Sequence, residues 1–240
     1  MRKKLPSGSA DAIGNARTTQ VEKPSPTRAT KRKPATSKAK GASARPTTGR
    51  EKLVRAAAEV LADVGFEKLT SNAICARAGV TPPTFYHYFK DKYEVLEELA
   101  EQLLGKQNEE FDVWLADYAS RQEAAPPLEM IERWFFTAAD FVSKEPGGIW
   151  TIRALRALPN LSHVRLSWQR RYTDQIFNVT RRFTPESAWP LLWSRIRIVV
   201  EFSYVVDELV YEEDRITRET TIREAARMIH SLFKDITVAE

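Results

Sequence analysis

Apolar residues recur every three or four positions through most of the chain beyond residue 48, and this spacing predicts helices. The first helix begins at Thr48, whose spacing to Glu51 is typical of a capping box, and it stops at Gly65. No segment alternates for long enough to predict a sheet, so we expect an all-α fold. Other long helical patterns cover residues 91–118, 128–144, 191–211 and 218–235. A short helix is expected over 149–158, and a long one from Asn160 or Ser162 to about residue 183.

Residues 70–79 predict a short helix that ends at a glycine. Thr70 is a suitable N-cap because its hydroxyl can accept a hydrogen bond from a first-turn amide. Ile74 and Ala78 are four residues apart and therefore share one face. Gly79 stands where a left-handed residue ends a helix without steric cost.

A second short helix follows at once and begins with two prolines. Thr81 is expected to cap it, while Pro82 and Pro83 fit a first turn whose amides have no partner within the helix. Phe85 and Phe89 are four residues apart and are expected to face the core. The side chains left to face solvent or a partner are Pro82, Pro83, Thr84, Tyr86, His87 and Tyr88.

A longer helix opens at Asp91, and Glu94 stands three residues on, as in a capping box. The three helices before it form a head too small for an independent core. We therefore expect the head to pack on the long helix through apolar residues such as Leu96 and Leu103.

Several motifs in residues 51–104 resemble the DNA-binding domain of TetR-family transcriptional regulators. They are a Gly-Phe corner at 65–66, the sequence AGV at 78–80, and TFYHYF at 84–89 followed by Lys92. The resemblance implies a helix-turn-helix that reads a DNA groove. It also implies a two-fold homodimer, a palindromic operator and release by a small-molecule effector. The implied DNA-contacting residues are Thr70, Ser71, Thr81, Pro82, Pro83, Thr84, Tyr86, His87, Tyr88 and Lys92.

These DNA contacts divide by chemistry. Thr70 suits a phosphate because it lies at a helix N-terminus, and Tyr86 and Lys92 resemble the phosphate-binding residues of the family. Thr84 and His87 are candidates for base edges. The proline pair departs from the family pattern, and because proline cannot donate a hydrogen bond it offers only apolar contact, for example with a thymine methyl.

Positive charge is concentrated at the N-terminus. Twelve basic and two acidic residues precede Arg50, so residues 1–49 carry +10, and the chain total of +5 leaves −5 for the remainder. This segment has few large apolar residues and is expected to be a disordered basic tail over residues 1–48. Two interpretations remain open, a solvated leader and an arm that adds non-specific DNA affinity; a transit peptide is disfavoured by the lysine-rich composition.

Composition argues against several other classes of protein. The longest apolar run is too short to span a bilayer, and the one cysteine, Cys75, rules out an intrachain disulfide framework. With no apolar leader, a cytoplasmic location is expected. His87, His163 and His230 are isolated, and no metal-ligand spacing or nucleophile motif occurs. We therefore expect no enzyme, no metal and no cofactor.

The last two long helices carry apolar residues on more than one face, which calls for more burial than one small domain provides. In the family, the equivalent helices pair with those of a second subunit, so the resemblance implies a homodimer. Ordinary intrachain core is the alternative. Arg197 and Glu201, four apart in this apolar run, are expected to form an ion pair rather than to read an effector.

Aromatic residues concentrate between positions 114 and 193, as in a pocket for an apolar or aromatic effector. A helical core uses the same residue types, so for each residue taken alone core packing is the better interpretation. Arg156, His163 and Asp174 could add polar contacts but are expected to be exposed or paired. The candidate effector residues are Trp114, Trp134, Phe141, Trp150, Arg153, Trp168 and Tyr172.

The sequence thus predicts a tail (1–48), a DNA-binding head (49–94) and a helical domain for effector binding and dimerisation (95–240). The favoured function is a ligand-released repressor of a palindromic operator. The alternative is a DNA-bound structural or partner-recruiting protein without an effector.

Overall fold

The computed structural model describes residues 48–237, with side chains through Phe233, so the predicted tail lies outside the described residues except for Thr48. Every regular element in this range is helical, which confirms the all-α prediction. Short 3₁₀ turns occupy Pro159–Leu161, Arg181–Phe183 and Glu186–Ala188. The α-helices are α1 (Gly49–Val64), α2 (Ser71–Ala78), α3 (Pro82–Tyr88), α4 (Lys92–Ser120), α5 (Leu128–Lys144), α6 (Gly148–Ala157), α7 (Ser162–Thr180), α8 (Trp189–Glu212) and α9 (Arg218–Thr237).

The start of α1 has the predicted capping box. The Thr48 hydroxyl accepts from the Glu51 amide at 3.2 Å, and the Glu51 carboxylate accepts from the Thr48 amide at 3.0 Å. Gly65 ends the helix with a positive φ of 72°. Local sequence therefore sets both ends of α1.

The start of α4 differs from the prediction in one bond. The Asp91 carboxylate accepts from the amides of Tyr93 and Glu94, at 2.8 and 3.1 Å, as an N-cap should. Glu94, however, accepts from the Lys90 amide at 2.6 Å, so the reciprocal half of the predicted box is wrong. The extended backbone of Asp91 (φ −156°, ψ −178°) presents the preceding amide to Glu94 instead of its own.

The head, formed by α1–α3, shares its apolar core with two later helices. Ile74 and Phe85 are fully buried in a cluster that continues through Leu96 on α4 and Leu155 on α6. The packing on α4 confirms the expectation from the sequence, whereas the part played by α6 was not predicted. Gly147, just before α6, fits closely because a Cβ there would lie 2.6 Å from the Ala58 carbonyl oxygen of α1.

A second apolar cluster joins the C-terminal half of α4 to α5, α7, α8 and α9. Within it, one face of α8 is buried, but Leu191, Ile198 and Leu209 are 53%, 63% and 42% exposed. Met228 and Leu232 on α9 are likewise 56% and 39% exposed. Intrachain packing thus accounts for only part of the apolar surface of these two helices. None of the helices within residues 48–237 has the length and apolar character needed to cross a bilayer.

Candidate nucleic-acid interface and effector cavity

The turn between α2 and α3 closes as a Schellman motif. Gly79 is left-handed (φ 66°, ψ 35°), and its amide donates to the Ala76 carbonyl at 3.4 Å. The Val80 amide donates to the Cys75 carbonyl at 3.1 Å, which completes the motif. The predicted glycine end of α2 is confirmed, and Thr70 caps the other end by accepting from the Ala73 amide at 3.1 Å.

The start of α3 corrects one expectation. Thr81 is at the N-cap, but its hydroxyl accepts no amide hydrogen bond and lies 3.2 Å from the hydroxyl of Thr84. Pro82 and Pro83 have no amide hydrogen to offer. The Thr84 amide is already bonded to the Thr81 carbonyl at 3.0 Å, so the hydroxyl of Thr81 has no first-turn donor to cap.

The outer face of α3 is open to solvent. Phe85 and Phe89 point into the core, at 0% and 1% exposure, as predicted. Tyr86 is 59% exposed, and His87 and both prolines are also exposed. The Tyr86 hydroxyl lies 3.4 Å from the Ser71 hydroxyl, which brings the first turn of α2 beside the exposed face of α3.

Two other candidate DNA contacts rest partly against the head. Tyr88 is half-buried, and a Cβ on Gly49 would lie 2.9 Å from its ring. The Lys92 ammonium lies 4.2 Å from the centroid of the Phe66 ring, a cation–π contact. The Gly-Phe corner thus supports the lysine that follows α3.

A cavity with about 790 Å³ of space free of protein atoms, part of it open to solvent, opens among α4, α5, α7, α8 and α9. It brings together three of the predicted effector residues, Trp114, Trp134 and Tyr172. Apart from these, the lining consists of Gln107, Phe111, Pro126, Ile131, Phe135, Ala138, Ile176, Val199, Val200, Ser203, Tyr204, Asp207, Ile229 and Phe233.

The other four predicted effector residues do not line this cavity. Phe141 packs against the head cluster, and Trp150 covers Gly65 at the end of α1. Arg153 stacks on Trp150 and pairs with Glu212 at 2.9 Å. Trp168 donates to Glu101 at 2.7 Å. An abundance of aromatics predicts a pocket, but it does not say toward which neighbour each ring is turned.

Phe111, which the sequence reasoning did not select, is the centre of the aromatic wall. Its ring stacks on Trp114 at 5.5 Å between centroids and meets Trp134 and Tyr172 edge-on, each at 5.0 Å. The Trp114 indole donates to the Met130 carbonyl at 2.8 Å, which fixes its plane. Ring pairs with these geometries are favourable and hold the wall in one arrangement.

Three polar side chains lining the cavity have no hydrogen-bond partner among the described residues: those of Gln107, Tyr204 and Asp207. Burial raises the pKa of Asp207 to about 7, with a further contribution from the neighbouring Glu208 carboxylate. Asp207 as a whole is half-buried and lines the cavity, so its carboxyl is surrounded by protein without being sealed from solvent. No base stands three or four residues from Asp207 on α8, a signal that could have marked it in the sequence.

The remaining polar candidates are paired, as expected. Arg156 bonds Glu208 at 2.9 Å, and Asp174 accepts from Trp193 at 2.9 Å. The predicted pair of Arg197 and Glu201 is confirmed at 3.2 Å. Exposed His163 contacts Glu97 at 2.9 Å, and this hydrogen bond raises the pKa of the imidazole.

A short helix, a tight glycine turn and a second helix with an open outer face define a helix-turn-helix protein. Residues 53–99 match the family model described as bacterial regulatory proteins, tetR family. Over 55 residues the chain is 46% identical to the class C tetracycline repressor protein of Escherichia coli, an alignment that covers 23% of this chain and 25% of that protein. Residues 53–99 are thus similar to the DNA-binding segment of the TetR family.

Solved structures share the fold of this chain both in the head and in the helices that follow it. The multidrug binding protein EbrR complexed with imidazole has a TM-score of 0.58 and 16% identity, over 76% of this chain and 95% of that chain. The SmeT–triclosan complex has a TM-score of 0.56 and 19% identity, over 76% and 90%. The sequence alignments to the curated tetracycline repressors span about a quarter of their length, so beyond the head only the fold is shared.

Proposed function

We propose that this protein is a transcriptional repressor that binds a palindromic operator as a homodimer and is released by a small apolar or aromatic effector. The observation that carries the proposal is the open outer face of α3, held by a closed glycine turn within the segment that matches the family. In this proposal residues 49–94 bind DNA, and residues 95–240 bind the effector and the second subunit.

The head offers two kinds of DNA contact. Thr70, Ser71 and Tyr86 lie together at the start of α2 and beside α3, where hydroxyls and free amides suit a phosphate. Lys92 adds a positive charge at the start of α4. Thr84, His87 and the two prolines on the outer face of α3 are the candidates for contact with base edges. Tyr88 suits either a base edge or a phosphate, and Thr81 lies beside them at the start of the helix.

The uncovered apolar faces of α8 and α9 support the homodimer. Leu191, Ile198 and Leu209 recur at intervals of seven and eleven residues along α8, so they lie close to one line. Leu232 and Met228 continue the apolar surface on α9. A two-fold pair built on this surface would present two α3 helices to half-sites roughly 34–36 Å apart.

Helix α4 joins the cavity to the head, which supports a mechanism in which effector binding changes DNA binding. Lys92 at its start serves the head, and Phe111, about 28 Å further along at 1.5 Å per residue, lines the cavity. The Tyr172 hydroxyl in the cavity wall donates to the Leu104 carbonyl of the same helix at 3.4 Å. An effector that displaced Tyr172 would move α4. An affinity difference of about 100-fold between the two arrangements corresponds to roughly 2.7 kcal/mol.

The test is operator binding by Tyr86→Ala, with the operator first selected from a random duplex library. Loss of one phosphate contact is expected to weaken binding about tenfold or more, with the dimer intact by size exclusion. Val113→Ala, which shortens a 70%-exposed side chain on α4, is the matched control and should bind normally. Normal binding by Tyr86→Ala would show that the assigned face is wrong. A strictly monomeric protein, or one with no preference for any duplex, would contradict the proposal as a whole.

A further inference from the structure

Asp207 is an acid without a neutralising partner in a cavity wall that is otherwise apolar. Its carboxyl has neither a hydrogen bond nor an ion pair among the described residues, although it lines the cavity beside Tyr204. An ionised carboxylate in such a place is unfavourable unless it meets a cation or strong donors. The chain supplies neither, which leaves a ligand as the natural partner.

The charged and titratable groups around Asp207 are occupied elsewhere. On α8, Glu208 bonds Arg156 at 2.9 Å, and the Tyr211 hydroxyl donates to the Ala139 carbonyl at 2.7 Å. From α9, Arg218 pairs with Asp140 of α5, and His230 bonds the Pro126 carbonyl at 2.9 Å. From α7, the Tyr172 hydroxyl donates to the Leu104 carbonyl, and Arg165 pairs with Glu201 of α8 at 3.6 Å. The polar side chain that α4 presents to the cavity is the neutral Gln107. No base of the described chain therefore compensates Asp207.

We propose that the cavity receives aromatic monocations, with Asp207 as the counter-ion. The proposal rests on the effector role of the same cavity and names the chemical class of its ligand. Gln107 and Tyr204 are the remaining unbonded polar groups, and they orient the part of the ligand near the charge.

The aromatic wall favours the same class of ligand. Phe111, Trp114, Trp134 and Tyr172 present π faces and edges around the cavity. The negative face of such a ring attracts a cation, and more strongly where water is displaced. A neutral ligand would leave Asp207 unpaired, and an anion would face its charge directly, so both are selected against.

Proton linkage gives a second signature. Because burial holds the pKa of Asp207 near 7, its carboxyl is largely protonated below that pH when the cavity is empty. A bound cation favours the ionised form, so binding on the acid side releases a proton. Affinity for a cation is expected to rise with pH up to about 7 and then to level off, while that for an uncharged ligand should not follow this curve.

The experiment compares N-methylacridinium with 9-methylacridine, an uncharged analogue of nearly the same size and shape, using fluorescence titration of the full chain without DNA at about pH 8. Wild-type protein should bind the cation at least about tenfold more tightly than the uncharged analogue. Asp207→Asn should lose that preference, Asp207→Glu should keep most of it, and Glu110→Gln should match wild type. Glu110→Gln is the matched control because it removes one exposed acid of α4 that does not line the cavity.

The outcomes separate this proposal from the repressor function. Equal binding of the two probes by wild type, unchanged cation binding by Asp207→Asn, or no binding of the cation would each overturn the proposal. Since the titration contains no DNA, its result does not depend on operator binding. A cation that binds through Asp207 without releasing the operator would count against the proposed repressor mechanism and leave the ligand class standing.

Discussion

The head and the cavity region are both built from amphipathic helices, yet they use their apolar residues differently. In the head, Phe85, Ile74 and Leu53 are fully buried, and local caps fix the helix ends. In the cavity region, large rings surround empty space and polar groups without partners. Outside the cavity lining, seven of the described residues also have buried side-chain polar atoms that lack a hydrogen bond, and none of them precedes Asn108.

This difference in packing indicates that the two regions contribute unequally to stability. A filled core gains dispersion contacts on every side, whereas a cavity gives up those contacts along its lining. The region around Phe111 is thus built less for stability than the region around Phe85. Because α4 runs through both, the well-packed head provides a firm base against which the cavity can rearrange.

The largest loss of stability is expected from truncating an aromatic ring, and its size should differ between the two regions. Phe85→Ala should destabilise the protein by about 3–5 kcal/mol, because the surrounding core cannot collapse around the lost volume. Trp134→Ala should cost less than about half as much, since the half-buried indole already borders empty space. Urea unfolding followed by circular dichroism gives both values, and equal losses would remove the proposed contrast.

The second prediction concerns pH. The pKa of Asp207 is about 7 in the folded protein and about 3.9 in an unfolded chain, so the folded state binds more protons between these values. The contribution of neutral Asp207 to the free energy of unfolding is fully present below about pH 4 and is lost as pH rises through 7. Asp207→Asn should therefore stabilise the empty protein at about pH 8, on the order of a few kcal/mol, and have little effect at about pH 4. Thermal melts at the two pH values check the sign, and a pH-independent difference would contradict it.

Added volume should have opposite effects in the two regions. Ala57→Leu, at a position with 0% exposure in the head, is expected to destabilise by about 1–3 kcal/mol through overpacking. Ala138→Leu points into the cavity and is expected to stabilise by about 0.5–2 kcal/mol while weakening binding of any cavity ligand. Denaturation midpoints distinguish the two, and destabilisation by both would mean that the cavity has no room for the three extra carbons of leucine.

A smaller effect is expected at the turn of the helix-turn-helix. Gly79→Ala places a Cβ where no atom lies within 4 Å, so its cost of about 1 kcal/mol comes from the left-handed backbone alone. Gly79→Asn, which tolerates this conformation better, should cost less. Chemical denaturation of both variants tests the order, and a neutral alanine variant would show that the turn relaxes.

The smallest effect is expected at His163. Its hydrogen bond with Glu97 raises the imidazole pKa, so the contribution to stability is present below the unfolded pKa of about 6.5 and is lost as pH rises through the folded value. Both side chains are exposed, which limits the effect to a few tenths of a kcal/mol. His163→Gln should lower stability slightly at about pH 5 and not at about pH 9, and nuclear magnetic resonance titration of His163 would show the raised pKa directly.

Much of the head could be predicted because its determinants are local. Thr48, Thr70 and Gly79 act on backbone within a few residues, and Phe85 and Phe89 show their burial through spacing alone. The two errors, at Thr81 and Glu94, concern which of two neighbouring backbone groups a side chain bonds. Such choices depend on backbone angles that residue types leave open.

The cavity could be predicted only as a tendency. Trp114, Trp134 and Tyr172 line it, but Trp150 and Trp168 have the same apolar character and turn elsewhere. A helix offers several faces to several neighbours, and the sequence does not state which neighbour occupies each face.

The sequence by itself determined the helices, the glycine turn, the outward face of α3 and the excess of apolar surface on α8. These follow from forces between residues close together along the chain. Tertiary structure alone decided that Phe111 and Asp207, 96 positions apart, border the same empty space. The reason is that packing and burial depend on which helices become neighbours. The pKa of an acid in that space likewise depends on all the groups that surround it.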